Sequence, residues 1–442
     1  MRSLYICYFN TEEPLVHTQV LPYLRAVAGA GVSVHLLTYE KKGRWHDGEP
    51  KRRRELKRQL ANEGIHWHAL KYHKRPSLPA TAYDMLIGIL YGMWLMLRYR
   101  LSVVHARAHV PGVMGLVLQG VRRRKLIFDL RGLMAEEYVD NGVWSEGSTP
   151  FRLVKAAERA LLRRADRIVV LTEKLRDLLV ESSAAGALAQ KITVIPCCTD
   201  LSGYDGSACE KKSTGALTLV YAGSVGERYL LPEMIDFFKV LRDKRPGSRF
   251  LLLTRASRAQ VERAFVESGV ADGSYSIISA TPAEMPALLC TADIAISFIR
   301  QSPAANAMSP TKIGEYLAAG LPVVSNAGGD MDSILQSNHA GVVVRELDRT
   351  AFERAAEQLF ALLSDDQGDA SERCRKVARR CYSLAEVGGP RYVALYQSLD
   401  ATPPKNRPAE RFVTGDSTDT ARKLQERCPI CRASDNRVVT DV

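Results

Sequence analysis

Residues 309–325, SPTKIGEYLAAGLPVVS, contain a helix start, a helix stop and a buried strand in succession. Pro310 is suited to the first helical position, and the later Gly-Leu-Pro ends the helix before the apolar Val-Val-Ser. Lys312 and Glu315 are three residues apart, so they share one face of this helix. The segment is therefore one helix–strand unit of an alternating α/β pattern.

Strand-like and helix-like runs alternate on both sides of this unit, in two series separated by the polar stretch Thr199–Ala216. Such alternation predicts parallel sheets covered by helices on both faces. We predict an α/β protein with two Rossmann-like, doubly wound domains that face each other across a cleft, with ligands at the carboxyl ends of the strands. The predicted strands are Leu4–Phe9, Ser33–Thr38, Ser102–His105, Lys125–Leu130 and Arg167–Leu171, then Leu217–Ala222, Arg249–Leu253, Ser274–Ile278, Ile294–Phe298, Val323–Ser325 and Gly341–Val344. The predicted helices include Val20–Ala30, Phe151–Arg164, Leu231–Asp243 and Arg258–Ser268.

Composition limits the class of protein. The chain has 442 residues, 46% of them hydrophobic and 25% charged, and these ordinary globular values exclude a disordered or collagen-like protein. The opening MRSLYICYFN resembles a first strand and not a signal peptide. Nine cysteines without a disulfide-type spacing favour a reducing, cytoplasmic location.

Positive charge is concentrated in two places, although the net charge is only +12. Residues 41–58 and the run Arg122–Lys125 are rich in Lys and Arg, and either is consistent with a solvated helix face or with an anionic partner. Between them, Ala82–Leu97 is almost wholly apolar. A buried core helix is the favoured interpretation, and a helix in the interface of an anionic membrane is the alternative. No nucleic acid is expected, because aromatic-rich or RGG-like motifs are missing.

The helix start at residues 309–315 has the composition of an anion site. The exposed amide groups of its first turn, from Ser309 to Thr311, attract negative charge, and Lys312 strengthens that attraction. Glu315, one turn later, can accept hydrogen bonds from two vicinal hydroxyls. The combination suits a nucleoside diphosphate with its ribose. Without further context, an exposed Lys312–Glu315 ion pair is the simpler interpretation.

The segment resembles the donor-binding motif of retaining glycosyltransferase family 4, whose members have the two-domain GT-B fold. The resemblance extends over roughly residues 1–398 and includes a strand before the motif, a hinge between the domains and a terminal helix that crosses back to the first domain. The matching pieces are Ala292–Ser297, Ala165–Thr172, Ile195–Asp200, Tyr221–Ser224, Tyr382–Leu384 and Tyr392–Tyr396.

The resemblance implies specific domain boundaries and substrates. It implies a nucleotide-sugar donor on the second domain, with a UDP-sugar as first candidate, and a glycan or lipid-linked acceptor on the first. Configuration is expected to be retained, with neither metal nor cofactor, in surface polysaccharide or glycoconjugate biosynthesis. The implied divisions are an acceptor domain (1–198), a linker (199–216), a donor domain (217–375), a crossing segment (376–400) and a flexible tail (401–442).

Two positions depart from the family pattern. The first glutamate of the usual pair, which lies near the transferred sugar, is replaced by Ala307. The hinge Asn-Gly is replaced by Cys197 and Cys198, which we expect to be small buried thiols. In the tail, Cys428 and Cys431 form half of a zinc site at most, so no metal site is predicted.

The resemblance also implies roles for residues beside the motif. Cations have to stabilise the leaving diphosphate, and the candidates besides Lys312 are Arg228 and Arg255, with Ser224 in the glycine turn before them. On the acceptor side, the candidates for contacts at the reacting centre are Asp129, Arg131 and His109, and those for acceptor binding are His17 and Gln19. An Asp129–Arg131 salt bridge and a structural His109 remain alternatives.

Two other functions remain open from the sequence. Ala307 and the tail are compatible with an inactive nucleotide-sugar-binding scaffold protein. A nucleotide-sugar epimerase on the same fold would need acidic and basic residues around the sugar, and the sequence does not identify them.

Overall fold

The computed structural model describes residues 1–41, 49–73, 75, 77–121, 124–183, 186–204, 216–226, 228–270, 273–364 and 369–399. Arg122, Arg123, much of the predicted linker and the tail with Cys428 and Cys431 lie outside these ranges. The described chain forms two parallel α/β sheets, as predicted, one of seven strands and one of six.

The first domain is built on the seven-stranded sheet, in the order β3-β2-β1-β4-β5-β6-β7. Its strands are β1 (Arg2–Cys7), β2 (Ser33–Glu40), β3 (Ile65–Lys71), β4 (Val103–Arg107), β5 (Lys125–Asp129), β6 (Arg167–Val170) and β7 (Ile192–Val194). Its helices are α1 (Pro14–Gln19), α2 (Leu21–Gly29), α3 (Glu49–Asn62), α4 (Ser77–Arg98), α5 (His109–Gly120), α6 (Met134–Asp140), α7 (Thr149–Arg164) and α8 (Glu173–Glu181). The strand order reverses between β1 and β4, which places a ligand crevice at their carboxyl ends.

The second domain is built on the six-stranded sheet, in the order β10-β9-β8-β11-β12-β13. Its strands are β8 (Thr218–Ala222), β9 (Arg249–Leu253), β10 (Tyr275–Ile278), β11 (Ile294–Ser297), β12 (Val323–Asn326) and β13 (Gly341–Val344). Its helices are α9 (Leu231–Lys244), α10 (Arg258–Glu267), α11 (Met285–Leu289), α12 (Thr311–Ala318), α13 (Arg349–Leu363) and α14 (Ala370–Tyr382). The reversal between β8 and β11 places the second crevice after these strands.

The two strands that the sequence did not predict are the edges of the first sheet. β3 reads IHWHALK and alternates between buried and more exposed residues, and β7 has only three residues. The inner strands are covered on both faces and therefore have continuous apolar runs. β3 and β7 lack that signal because only part of their surface is buried and β7 is short, whereas the edge strands of the second sheet, β10 and β13, are apolar enough to be predicted.

The last described helix, α15 (Gly389–Gln397), returns to the first domain and packs against α2. The predicted crossing segment, 376–400, begins earlier, inside α14, which packs against α12 of the second domain. A π-helical turn at Leu384–Gly388 separates α14 from α15. Only the second half of the predicted segment therefore crosses between the domains.

Helix α4 is only about one-third buried, so the interpretation of Ala82–Leu97 as a core helix is wrong for one of its faces. Residues 78–98 are long and apolar enough to cross a membrane by length and composition, and about a third of an apolar 18-residue stretch within them is buried. The buried face carries Asp84, whose carboxylate accepts hydrogen bonds from the Tyr8 hydroxyl (2.8 Å) and the His73 amide (3.0 Å). The outer face exposes about half of each of five large side chains: Tyr83, Leu86, Leu90, Trp94 and Leu97.

The two domains meet through polar contacts at the carboxyl ends of their strands. The hydroxyl of Thr172 donates a hydrogen bond to the Asn306 carbonyl at 2.7 Å. The hydroxyl of Ser302 donates one to the Asp140 carboxylate at 2.5 Å. The crevices of the two sheets therefore face each other across one cleft.

Candidate active site

Lys312 lies on the first turn of α12, and its ammonium group is packed against the end of β8. It donates a hydrogen bond to the Tyr221 hydroxyl at 3.1 Å. A Cβ atom built on Gly223 would lie 2.5 Å from the Lys312 Nζ atom, and Gly223 has a φ of +142°. The backbone conformation at position 223 therefore favours glycine, and the Lys312 ammonium group lies in the space that a side chain there would occupy.

Two aromatic rings enclose this ammonium group. The Lys312 Nζ atom is 3.9 Å from the ring centroid of Tyr229 and 4.3 Å from that of Tyr221. Burial lowers the pKa of Lys312 to about 7, although the charge of Glu315 acts in the opposite direction. The rings stabilise the cation through their negative faces, but they leave it without a neutralising charge of its own. Such a group is suited to receive an anion.

Glu315 lies one turn further along α12, and burial raises its pKa while Lys312 lowers it. No hydrogen bond or ion pair is formed between these two described residues, so the interpretation as an exposed ion pair is wrong. The helix itself begins at Thr311, with Pro310 as its N-cap, one residue later than predicted. Thr311 is half-buried in the first turn.

Ser309 lies just before the helix and contacts the hinge between the domains. Its hydroxyl accepts a hydrogen bond from the backbone N–H of Cys197 at 3.2 Å. The predicted role of Ser309 in donor binding stays a prediction, and this contact assigns its side chain to the hinge. The thiols of Cys197 and Cys198 are buried and unpaired, which confirms the expectation for this pair.

The remaining donor-side candidates lie on loops after β8 and β9. Ser224 is exposed, and its carbonyl accepts a hydrogen bond from the Tyr221 hydroxyl at 2.6 Å. Arg228 reaches across the cleft to Glu137 on α6, with 3.4 Å between its Nη2 atom and the carboxylate. Arg255 is exposed beyond the end of β9. The structure therefore places Ser224 and Arg228 on the loop against which the Lys312 ammonium group of α12 packs, whereas Arg255 lies on the loop after the neighbouring strand β9.

Asp129 is completely buried at the end of β5, beneath the cleft. Its carboxylate accepts hydrogen bonds from Arg107 (3.3 Å) and from the Tyr392 hydroxyl (3.0 Å), and the Arg131 guanidinium is 3.6 Å away. Burial alone would raise the pKa of Asp129, but the charge of Arg131, the His105 imidazole 3.8 Å away and the charge of Arg107 hold it well below its usual range. The geometry matches the alternative in which Asp129 and Arg131 form a salt bridge. Asp129 could contact a sugar hydroxyl only if the side chains around it moved apart.

Arg131 and Gln19 join the same cluster to the hinge. The Arg131 guanidinium donates hydrogen bonds to the Cys197 sulfur (3.1 Å) and to the Gln19 side-chain oxygen (3.4 Å). The Gln19 amide donates one to the Cys198 carbonyl at 2.8 Å. Gln19 is buried, so in this structure it does not lie on a surface that an acceptor could contact. His17 is exposed on α1.

His109 begins α5 and is buried. Its Nε2 atom is 3.0 Å from the Glu158 carboxylate, which Lys155 contacts at 2.5 Å. The residue before it, Ala108, has a φ of +67°, an uncommon conformation for a side chain with a Cβ atom. These contacts match the structural alternative for His109.

Sequence reasoning missed three residues that shape the cleft: Tyr221, Tyr229 and Glu137. Tyr221 sits in a strand, where an aromatic residue normally indicates core packing. A detectable signal was the placement of two tyrosines on either side of the glycine turn 223–226.

Comparisons with known proteins agree with this architecture. Residues 16–198 match the family described as "Glycosyl transferase 4-like domain", and residues 216–362 match "Glycosyl transferases group 1". The two matches leave unassigned only the first 15 residues, part of the linker and the residues after 362. No curated protein matches the chain by sequence.

Solved structures share the fold at low identity. Sucrose-phosphate synthase from Thermosynechococcus elongatus is 16% identical, with a TM-score of 0.66, over 91% of this chain and 99% of that one. HepE from Anabaena, in complex with UDP and glucose, is 13% identical, with a TM-score of 0.61, over 91% and 100%. WaaG, a glycosyltransferase involved in lipopolysaccharide biosynthesis, is 14% identical, with a TM-score of 0.60, over 87% and 97%. The chain is a glycosyltransferase with the two-domain GT-B fold, composed of a glycosyl transferase 4-like domain followed by a group 1 domain.

Proposed function

We propose that the protein transfers a sugar from a nucleoside-diphosphate donor to a glycan or lipid-linked acceptor, with retention of configuration. The observation that carries this proposal is the buried Lys312 ammonium group, held against Gly223 at the carboxyl end of β8. Its natural counter-ion is a diphosphate.

The donor side has the parts that a leaving diphosphate needs. Negative charge develops on this group in the transition state, and fixed cations in a water-excluded site stabilise it. Lys312 supplies one cation, the first turn of α12 supplies free amide groups, and Arg228 supplies a second cation once it leaves Glu137. Glu315 is placed one turn later to accept the ribose hydroxyls. HepE, which shares the fold, is described as bound to UDP and glucose, so a UDP-sugar is the first donor to test.

We propose that the acceptor hydroxyl attacks on the face that the nucleotide leaves, and that the departing diphosphate takes its proton. This route needs no protein nucleophile, which fits the burial of Asp129 among two arginines and a tyrosine. Fixed cations would replace a metal ion. Turnover that persists in EDTA is therefore expected, and strong inhibition by EDTA would count against this part of the proposal.

We further propose that the protein works at the inner, anionic face of a membrane, in surface polysaccharide or glycoconjugate biosynthesis. The support is the outer face of α4, with its five half-exposed large side chains, bordered by the exposed Arg75, Arg98 and Arg100. Helices with an apolar face and basic neighbours bind in the interface of a bilayer. A lipid-linked acceptor would then be within reach of the first domain.

The donor is identified by a thermal-shift panel of UDP-, GDP-, ADP- and dTDP-sugars, because a ligand that binds only the folded protein raises its melting temperature. We expect one nucleotide class to stand out, and a Lys312→Ala, Glu315→Ala double variant to lose the shift. An unchanged shift in this variant would contradict the placement of the donor.

Transfer is tested with the donor so identified and extracted lipid-linked glycans, and the anomeric configuration of the product is determined by NMR. Binding without donor hydrolysis or transfer would indicate a scaffold protein instead. Conversion of the donor sugar without any acceptor would indicate an epimerase.

Membrane binding is tested by flotation with anionic and with neutral vesicles. We expect binding to anionic vesicles, lost in a Leu90→Gln, Trp94→Gln variant. A Leu153→Gln variant is the matched control, because Leu153 is equally apolar and 65% exposed but lies on α7. Equal flotation of all three proteins would contradict the proposed surface.

A further inference from the structure

Glu137 stands on the opposite wall of the cleft from Lys312. It lies on α6 of the first domain, and its carboxylate pairs with Arg228, which directly precedes the Tyr229 ring that covers the Lys312 ammonium. Its side chain is 28% exposed, so it is not enclosed in the interior of the first domain. The pair therefore joins the acceptor domain to the loop of the proposed diphosphate site.

The surroundings of Glu137 leave space for this carboxylate. A Cβ atom on Gly132 would lie 2.1 Å from the Glu137 Oε1 atom, so glycine at 132 allows the side chain to fold over the loop. Burial raises the pKa of Glu137, and the charge of Arg228 lowers it. When Arg228 is drawn to another anion, the carboxylate loses its stabilising partner.

The described turn of the second domain that packs against α6 contains no acidic residue. Helix α6 packs against the short 3-10 turn Pro303–Ala307, in which Ala307 is completely buried. Asp140, on the same helix as Glu137, already accepts the hydrogen bond of Ser302. Among the described acids of α6, Glu136 pairs with Lys155 inside the first domain, whereas Glu137 pairs with Arg228 of the second domain, a cation that a bound anion can draw away.

We propose that Glu137 binds the hydroxyl groups of the transferred sugar after the donor diphosphate has taken over Arg228. The inference rests on the proposed function and adds a residue of the first domain to the sugar subsite. An ionised carboxylate is a strong acceptor for the hydroxyls of a hexose. The exchange of partners also couples donor binding to the position of the first domain, since the sugar replaces the direct Glu137–Arg228 contact.

The test compares UDP with UDP-glucose, or with the UDP-sugar that binds most tightly in the thermal-shift panel, by titration calorimetry. Glu137→Gln and Glu137→Ala are expected to bind UDP as well as the wild type or more tightly, because Arg228 is no longer engaged. The preference for the UDP-sugar over UDP is expected to fall by roughly tenfold in Glu137→Ala, the scale of a lost hydrogen bond to a charged group.

Two further variants separate this role from a merely structural ion pair. Arg228→Gln removes the Glu137–Arg228 pair by changing the arginine, and it is expected to weaken the binding of both UDP and the UDP-sugar. Glu146→Gln, at an exposed glutamate after α6, is the matched control and should change neither. Equal effects of Glu137→Ala on UDP and UDP-sugar, or no effect on either, would overturn the inference alone. Failure of the wild type to bind any nucleotide would overturn the proposed function as well.

Discussion

The carboxylate of Asp330, in the second domain, accepts hydrogen bonds from the backbone N–H groups of Glu173 (2.8 Å) and Lys174 (3.0 Å), in the first. These amides are the free donors at the start of helix α8, where a negative charge is favourable. An acid of one domain thus caps a helix of the other. This contact stabilises the association of the two domains only when the cleft has the width seen here.

Replacement of Asp330 by alanine is expected to favour a wider cleft. A lost cap of this kind costs about 1–2 kcal/mol, here of domain association and not of domain folding. Small-angle scattering should show a larger radius of gyration with little change in melting temperature. Asp332→Ala is the control, because Asp332 pairs with Arg345 inside the second domain. Equal radii for Asp330→Ala and the wild type would contradict this function of the cap.

Replacement of Lys312 by methionine is expected to stabilise the protein without ligand and to weaken donor binding. The pKa of Lys312 falls from 10.5 to about 7 on folding, so between these values the unfolded chain binds a proton that the folded chain does not. The cost of burying this group is therefore greatest at pH 7 and below, and it decreases as the pH rises. Methionine removes that cost.

Urea unfolding of Lys312→Met should show its largest gain near pH 7 and a smaller gain near pH 9. Lys376→Met, at an exposed lysine of α14, is the matched control and should leave the free energy of unfolding unchanged at both pH values. A destabilised Lys312→Met protein would show that the ammonium group contributes more through its aromatic contacts than its burial costs.

Donor affinity is expected to depend on pH through the same group. Below pH 7 the Lys312 side chain is already charged in the free protein. Above pH 7 it is mostly neutral, so binding of the diphosphate is coupled to the uptake of a proton by Lys312. The dissociation constant of a UDP-sugar should then rise by up to about tenfold per pH unit. Calorimetry in two buffers of different ionisation enthalpy would detect the proton uptake. A flat profile, or the same slope in Lys312→Met, would contradict the assignment.

Replacement of Tyr392 by phenylalanine is expected to destabilise the protein by about 1–3 kcal/mol. The substitution removes one hydrogen bond from the buried Asp129 carboxylate and leaves its arginines in place. Urea unfolding measures the loss. Tyr83→Phe is the control, since Tyr83 is 52% exposed on α4. Equal stability of both variants would show that the carboxylate is satisfied without Tyr392.

The inner strands were predictable because each is covered on both sides and reads as a continuous apolar run. The helix with Lys312 and Glu315 was also predictable, since both the spacing and the terminating Gly-Leu-Pro are local signals. The environments of Asp129 and Gln19 could not be predicted from the sequence. Asp129 is bonded to Tyr392, 263 residues away, and Gln19 to Cys198, 179 residues away. No local pattern reports such partners, so the sequence did not indicate that both side chains are buried among residues distant in the chain.

Helix α15 is the last helix of the described residues, yet its tyrosines complete the interior of the first domain, with the Tyr396 hydroxyl 2.9 Å from His105 and 3.1 Å from Ser3. Exchange of donor domains between relatives therefore requires two crossover points, one in the linker and one between α14 and α15. A chimera joined at the linker alone would carry the α15 helix of the other protein. The cluster of Asp129, Arg107 and Arg131 would then pack against a helix that does not match it. The recombination unit on the donor side is consequently an insert within the acceptor domain, and not a terminal half of the polypeptide.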